Sequence, residues 1–207
     1  VSLYFPASDP IHKATIIPRG RALGMVMRLP EADKLSYLRE KMIADLAVSM
    51  GGRVAEEIIF GYDKVSSGAS SDIKYASKLA RAMVSEWGMS DKIGPLFYGA
   101  EQQESFLGYG TPSRSSSEQM ANIIDDEVKR FVEEAHVNAN KILTEHIDEL
   151  HSIAQALLEF ETLTGDEIRG LINGEAIKRV EIEKKIVTKS SLPSSRTKKS
   201  DESSASA

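Results

Sequence analysis

The sequence predicts a mainly α-helical fold with a small β element and a disordered C-terminal tail, and three observations carry that prediction. Apolar residues recur at helical spacing through most of the stretch between Glu31 and Ile172. Only residues 11–29 (IHKATIIPRGRALGMVMRL) combine β-branched runs with turn residues in the manner of strands. Past Val187 the composition collapses into Ser, Lys and small residues, which bury too little apolar area to offset the entropy of ordering. The 207 residues thus divide into one folded domain over residues 1–187 and a disordered tail over 188–207.

Taken in order, the first residues (VSLYFP) are apolar with no polar lead-in and read like the end of a helix that begins elsewhere. Two short strand-like runs follow, residues 14–17 and 24–27, on either side of a Pro-Arg-Gly turn cluster. Pro18 has no N–H to give to a ladder, so this segment is expected at a sheet edge or bend, where an extended peptide could add itself. From Glu31 the period becomes helical, with Leu35, Leu38, Met42 and Leu46 on one stripe. That helix is predicted to stop at Gly51-Gly52, and helical composition resumes over residues 53–60 until Gly61. A polar loop over residues 65–72 leads into a helix over residues 72–87, striped by Ile73, Ala76, Ala80, Met83 and Trp87. Ser70 or Ser71 is placed to cap this helix, and Asp72 suits the positive end of its dipole. Residues 88–117 are rich in Gly, Ser and aromatics and read as a long irregular connection. The longest helical region, residues 118–161, is predicted to be two helices meeting near His146. Thr164 and Glu167 form a capping box for a last short helix ending near Ile172.

Composition excludes several classes of function. The net charge of −5 and the lack of a basic stripe argue against a nucleic-acid partner. With no cysteine there is no disulfide and no thiolate cage, so any metal site must be built from His, Asp and Glu. No apolar run is long enough to span a bilayer. No Gly-Lys dipeptide and no strand-linked G-x-G-x-x-G occurs, so this chain does not bind and hydrolyse ATP by itself. The serines have no G-x-S-x-G context.

The candidates for chemistry are then few. His146 and His151 are five apart, about 140° around a helix, and His136 lies about 15 Å from His146 along one, so neither pair suits a single ion. Taken with His12, the four histidines read as ordinary surface or core residues. Asp72 is a carboxylate at a helix start behind a Gly-containing loop; on composition alone it reads as a cap. Glu56 and Glu57 point about 100° apart on their helix, so at most one faces inward, and both read as solvated or salt-bridged.

Four strings shift that balance: IHKATIIPRGRALG at residues 11–24, GGRVAEEIIFG at 51–61, SGASSDI at 67–73 and EWGMSD at 86–91. They resemble, in order, the peptidase domain of the FtsH family of membrane-anchored, ATP-dependent zinc metalloproteases. LLEFETLTG at residues 157–165 is similar too, so the resemblance covers roughly residues 1–175. It implies a mainly helical peptidase domain that assembles as a homo-hexamer beneath an ATPase ring and degrades unfolded or membrane proteins at the cytoplasmic face of the bacterial inner membrane. It also implies a zinc held by the two His of an H-E-x-x-H helix and a more distant Asp, with the motif's Glu as general base. Residue by residue, the third-ligand role falls on Asp72, and the substrate-receiving edge strand on Thr15, Ile16, Ile17 and Pro18.

One departure bears on activity. No H-E-x-x-H occurs in this chain, and the family places that helix just before a segment like Val1 to Pro6. The resemblance therefore implies that the catalytic Glu, two zinc ligands, the ATP-binding module and the membrane anchors lie outside these residues, and that the chain alone is inactive. A different reading, a non-catalytic helical module for oligomerisation or partner binding, leaves Asp72 as a helix cap.

Overall fold

A computed structural model describes residues 1–20, 22–30, 36–99 and 117–177. Among them are five α-helices and three short strands: β1 (Ile11–Thr15), β2 (Met25–Arg28), α1 (Arg39–Phe60), α2 (Ser70–Ser85), α3 (Glu118–Glu145), α4 (Ile147–Phe160), β3 (Thr162–Thr164) and α5 (Gly165–Ile172). The mainly helical class with a small β element is what the residue pattern predicts. The expected tail at 188–207 and most of the connection at 88–117 fall outside the described residues.

The core is formed by three helices, with α1 packed against both α2 and α3. Leu46, Ala47, Met50 and Val54 of α1 meet Ala76, Ala80 and Met83 of α2 and Phe131, Ala135 and Ala139 of α3, all buried. Small residues at Ala76, Ala80, Ala135 and Ala139 let the helix axes approach closely. The predicted stripe on α2 is buried at its centre only; Ile73 and Trp87 at its ends are exposed.

Three boundaries differ from expectation. First, α1 runs unbroken through Gly51-Gly52. Two glycines cost about 1 kcal/mol each in helix propensity, and burial of the flanking Met50 and Val54 outweighs that. Gly51 also makes room: a Cβ there would meet the Val1 side chain at 3.3 Å. Second, α2 begins at Ser70 with Ala69 as its N-cap and no side-chain cap, so Ser70 and Ser71 lie within the first turn and cannot close it. Third, the strand-like runs are shifted to Ile11–Thr15 and Met25–Arg28, and a third strand, β3, was not expected.

β3 changes the topology. The sheet order is β2-β1-β3, antiparallel throughout. Thr15 is paired on both sides, to Met25 in β2 and to Thr162 in β3. Its hydroxyl lies 2.8 Å from that of Thr162, and the Ile16 N–H donates to the Glu161 carbonyl at 3.0 Å. Of residues 15–18, Thr15 is therefore in the central strand with a partner on each side, and Ile16 to Pro18 continue beyond the end of β1. The cause is a partner 147 residues along the chain, which no local pattern reveals. A second, smaller core forms where Ala14, Leu163, Ala156 and Ile168 are buried together beneath the sheet.

The remaining elements follow the sequence closely. α3 and α4 meet at His146. Thr164 and Glu167 make a reciprocal capping box on α5.

Candidate functional site

The site begins with α1. Two of its carboxylates, Glu56 and Glu57, are adjacent and diverge. One Glu57 oxygen meets Arg53 Nε a turn earlier on α1 and the other meets His136 Nε2 on α3, each at 2.8 Å. Glu56 turns toward the loop before α2. It accepts the Ser66 N–H at 2.7 Å and the Ser66 hydroxyl at 2.8 Å, while Ser66 Oγ accepts the Gly68 N–H at 3.0 Å. These bonds hold the Glu56 carboxyl below the usual carboxylate range. One acidic side chain thus ties the Ser67-Gly68-Ala69 turn to α1 and sets where α2 starts.

Asp72 is the third residue of α2. It is exposed and makes no hydrogen bond or ion pair among the described residues. Crowding at the loop–helix junction removes water from its carboxyl and raises its pKa. The reading of Asp72 as a cap is not what the structure contains; the N-cap position belongs to Ala69. Asp72 is an acceptor with open lone pairs, held on a fixed helix.

The face of α2 that carries Asp72 continues into a cleft. Tyr75 and Leu79 follow it at three and seven positions along the helix, hence on the same side, and both line a cleft of about 610 Å³. The opposite wall is β2, through Met25, Val26, Met27 and Arg28. β2 has β1 on one side and no strand on the other among the described residues. Met25 and Val26 are exposed, so an apolar strand with one edge unpaired among the described residues faces a concave surface. Beneath it lies a network of charges that sequence reading missed. Arg28 meets Asp45 at 2.8 Å; Lys41 meets both Asp45 and Asp9 at 2.8 Å. Alternating Arg and Lys with Asp around a shared strand end could have signalled it, but the partners come from three separate segments.

The four histidines do not converge on Asp72. His136 pairs with Glu57, and His146 is stacked on Tyr4 at 3.9 Å while its Nδ1 lies 2.9 Å from Glu149. Among the described residues no three His, Asp or Glu side chains are grouped so as to hold a metal ion. Catalytic zinc takes three protein ligands and an open position, so these residues do not fit the ion by themselves. They offer one carboxylate oxygen donor, a preset loop behind it and a strand edge beside it.

A family model described as Peptidase family M41 matches residues 1–171. An ATP-dependent zinc metalloprotease FtsH of Neorickettsia risticii is 56% identical over 192 residues, 92% of this chain and 29% of that protein. Proteins of the same name from Rickettsia bellii and Caulobacter vibrioides are 55% and 54% identical, over 86% and 88% of this chain and 28% and 29% of their own lengths. The chain therefore spans less than a third of the curated relatives it matches.

Proposed function

This chain belongs to peptidase family M41, and on that premise we propose that it is the peptidase-domain portion of a longer, membrane-anchored, ATP-dependent zinc metalloprotease that degrades unfolded and membrane proteins. The observation that carries the reading is Asp72: an acceptor without a partner among the described residues, on a helix start fixed by Glu56, on the same face that lines the cleft. Asp72 contributes one zinc ligand. The other ligands, the general base and the ATP-binding module come from residues outside this chain, where no H-E-x-x-H or phosphate-binding loop occurs.

The substrate chain adds to the open edge of β2 rather than to residues 15–18, of which Thr15 and Ile16 are already bonded on the β3 side. Backbone pairing at such an edge is indifferent to side-chain identity, which suits a protease acting on many unfolded sequences. The longer protein works as a homo-hexamer at the cytoplasmic face of the inner membrane, anchored by segments other than those described here, of which no helix is long and apolar enough to cross a bilayer. Nucleic acid has no part in it.

The 207-residue chain, supplied with zinc and unfolded casein, is expected to show no chelator-sensitive cleavage. The longer protein, with ATP, is expected to show it. Cleavage by the short chain would place the chemistry elsewhere, and a longer protein devoid of protease activity would favour the non-catalytic module.

A further inference from the structure

The cleft is bounded by two elements that come from distant parts of the chain, and both are fixed to the same helix. At the end of β2, Arg28 Nη1 meets Asp45 Oδ1 at 2.8 Å and reaches the Ser8 hydroxyl at 3.3 Å. The second oxygen of Asp45 accepts Lys41 Nζ at 2.8 Å, and Lys41 is held in turn by Asp9 at 2.8 Å. The side chains of Asp45 and Lys41 are only 13% and 7% exposed, so the carboxylate that receives Arg28 is locked in orientation. The backbone needs this hold there. The β1–β2 register shifts between Ile11 and Lys13, at the Arg28 end of the ladder, and β2 has no second strand to steady it among the described residues.

Asp45 and Glu56 are eleven positions apart on α1, which is about three turns: about 16 Å along the axis and within about 20° of one face. One face of one helix therefore sets the height of β2 at one point and the start of α2 at another. We propose that Asp45, acting through Arg28, is a positioning residue that fixes the substrate-receiving strand β2 against α1, and so at a set distance from the α2 end that carries Asp72. The effect of Asp45 is on how well an extended chain is received.

This inference rests on the proposed protease function, and the test separates the two. In the longer enzyme, Arg28→Gln is the variant of choice, because the Arg28 side chain is 24% exposed and its loss leaves Asp45 still paired with Lys41. KM for an extended peptide is expected to rise about tenfold with kcat changed less than about twofold and bound zinc unchanged, and Arg28→Lys is expected to recover most of the loss. In the 207-residue chain, Arg28→Gln is expected to speed amide exchange in β2 by about tenfold while amides near Ala80 and Phe131 keep their protection. Unchanged KM, a fall in kcat at constant KM, or faster exchange throughout the helical core would each overturn the positioning role. A wild-type longer enzyme without chelator-sensitive cleavage would instead remove the protease reading, and the inference with it.

Discussion

Glu127 on α3 and Asp72 on α2 are both carboxylates on helices packed against α1, and their surroundings differ at every step. Glu127 is 1% exposed and fully engaged: the Ser90 hydroxyl donates to it at 2.6 Å, Arg130 at 2.7 and 3.1 Å, and Lys92 at 3.0 Å. The Arg130 hydrogen bonds outweigh burial, which acts in the opposite direction, and with the Ser90 and Lys92 bonds bring its pKa down to about 2. Asp72 is exposed, has no partner among the described residues, and its pKa moves the other way. A carboxylate that holds a fold together uses up its lone pairs; one that waits for a ligand keeps them. The contrast singles out Asp72 more sharply than burial or position alone, because Asp45, which lines the cleft, has both of its oxygens engaged.

The largest effect expected is on stability. Glu127→Ala takes an acceptor from the buried Ser90 hydroxyl and a partner from Lys92 and Arg130, and is expected to cost about 3 kcal/mol in urea unfolding, near the low end for a broken buried pair because Arg130 keeps Glu134 and Lys92 can turn to water. A loss under about 1 kcal/mol would mean the residue is no keystone.

Acid reports on the same group. Its folded pKa is about 2 against an ordinary 4.5, so its contribution is complete above pH 4.5 and is lost as pH falls toward 2. Unfolding midpoints are expected to fall across that window in wild type and much less in Glu127→Gln. Parallel curves would contradict the assignment.

Glu56→Gln tests the loop behind Asp72. Gln retains one acceptor but cannot accept both the Ser66 N–H and hydroxyl as a carboxylate does, so the start of α2 loosens. In the longer enzyme, metal affinity is expected to drop about tenfold, the scale of a lost orienting partner. Affinity equal to wild type would show that Glu56 only decorates the surface.

The smallest effect is the most diagnostic of the contrast. Asp72→Asn in the 207-residue chain is expected to shift stability by less than about 0.5 kcal/mol, as at a surface position without partners. Because its pKa is raised, the folded state prefers the protonated form, and the sign is neutral to slightly stabilising at pH 7. A loss near 1 kcal/mol would restore the reading of Asp72 as a helix cap.

How much of this was legible depended on range. Elements governed by neighbours a few residues away came through: the stripe of α3, the break at His146, the Thr164–Glu167 box. Features set by distant segments did not. β3 is three residues long, too short for alternation to register, and its pairing puts Thr15 in the central strand. Gly51-Gly52 reads locally as a stop, yet packing on both sides carries α1 through it. Glu127 sits within an apolar stripe where a charged residue suggests a solvated face; its burial depends on Ser90 and Lys92 from the preceding connection. Asp72 was found through the motif around it and not through periodicity, and its lack of a partner emerged only from the fold.

Asp72 as a metal ligand is central to the proposed function. The most direct measurement is the zinc content of the longer enzyme, purified as wild type and as Asp72→Asn, alongside ATP-driven casein cleavage. One zinc per chain in wild type is expected, with loss of bound zinc and of cleavage in the variant while its unfolding midpoint stays the same. Full zinc and full cleavage in Asp72→Asn would contradict the account.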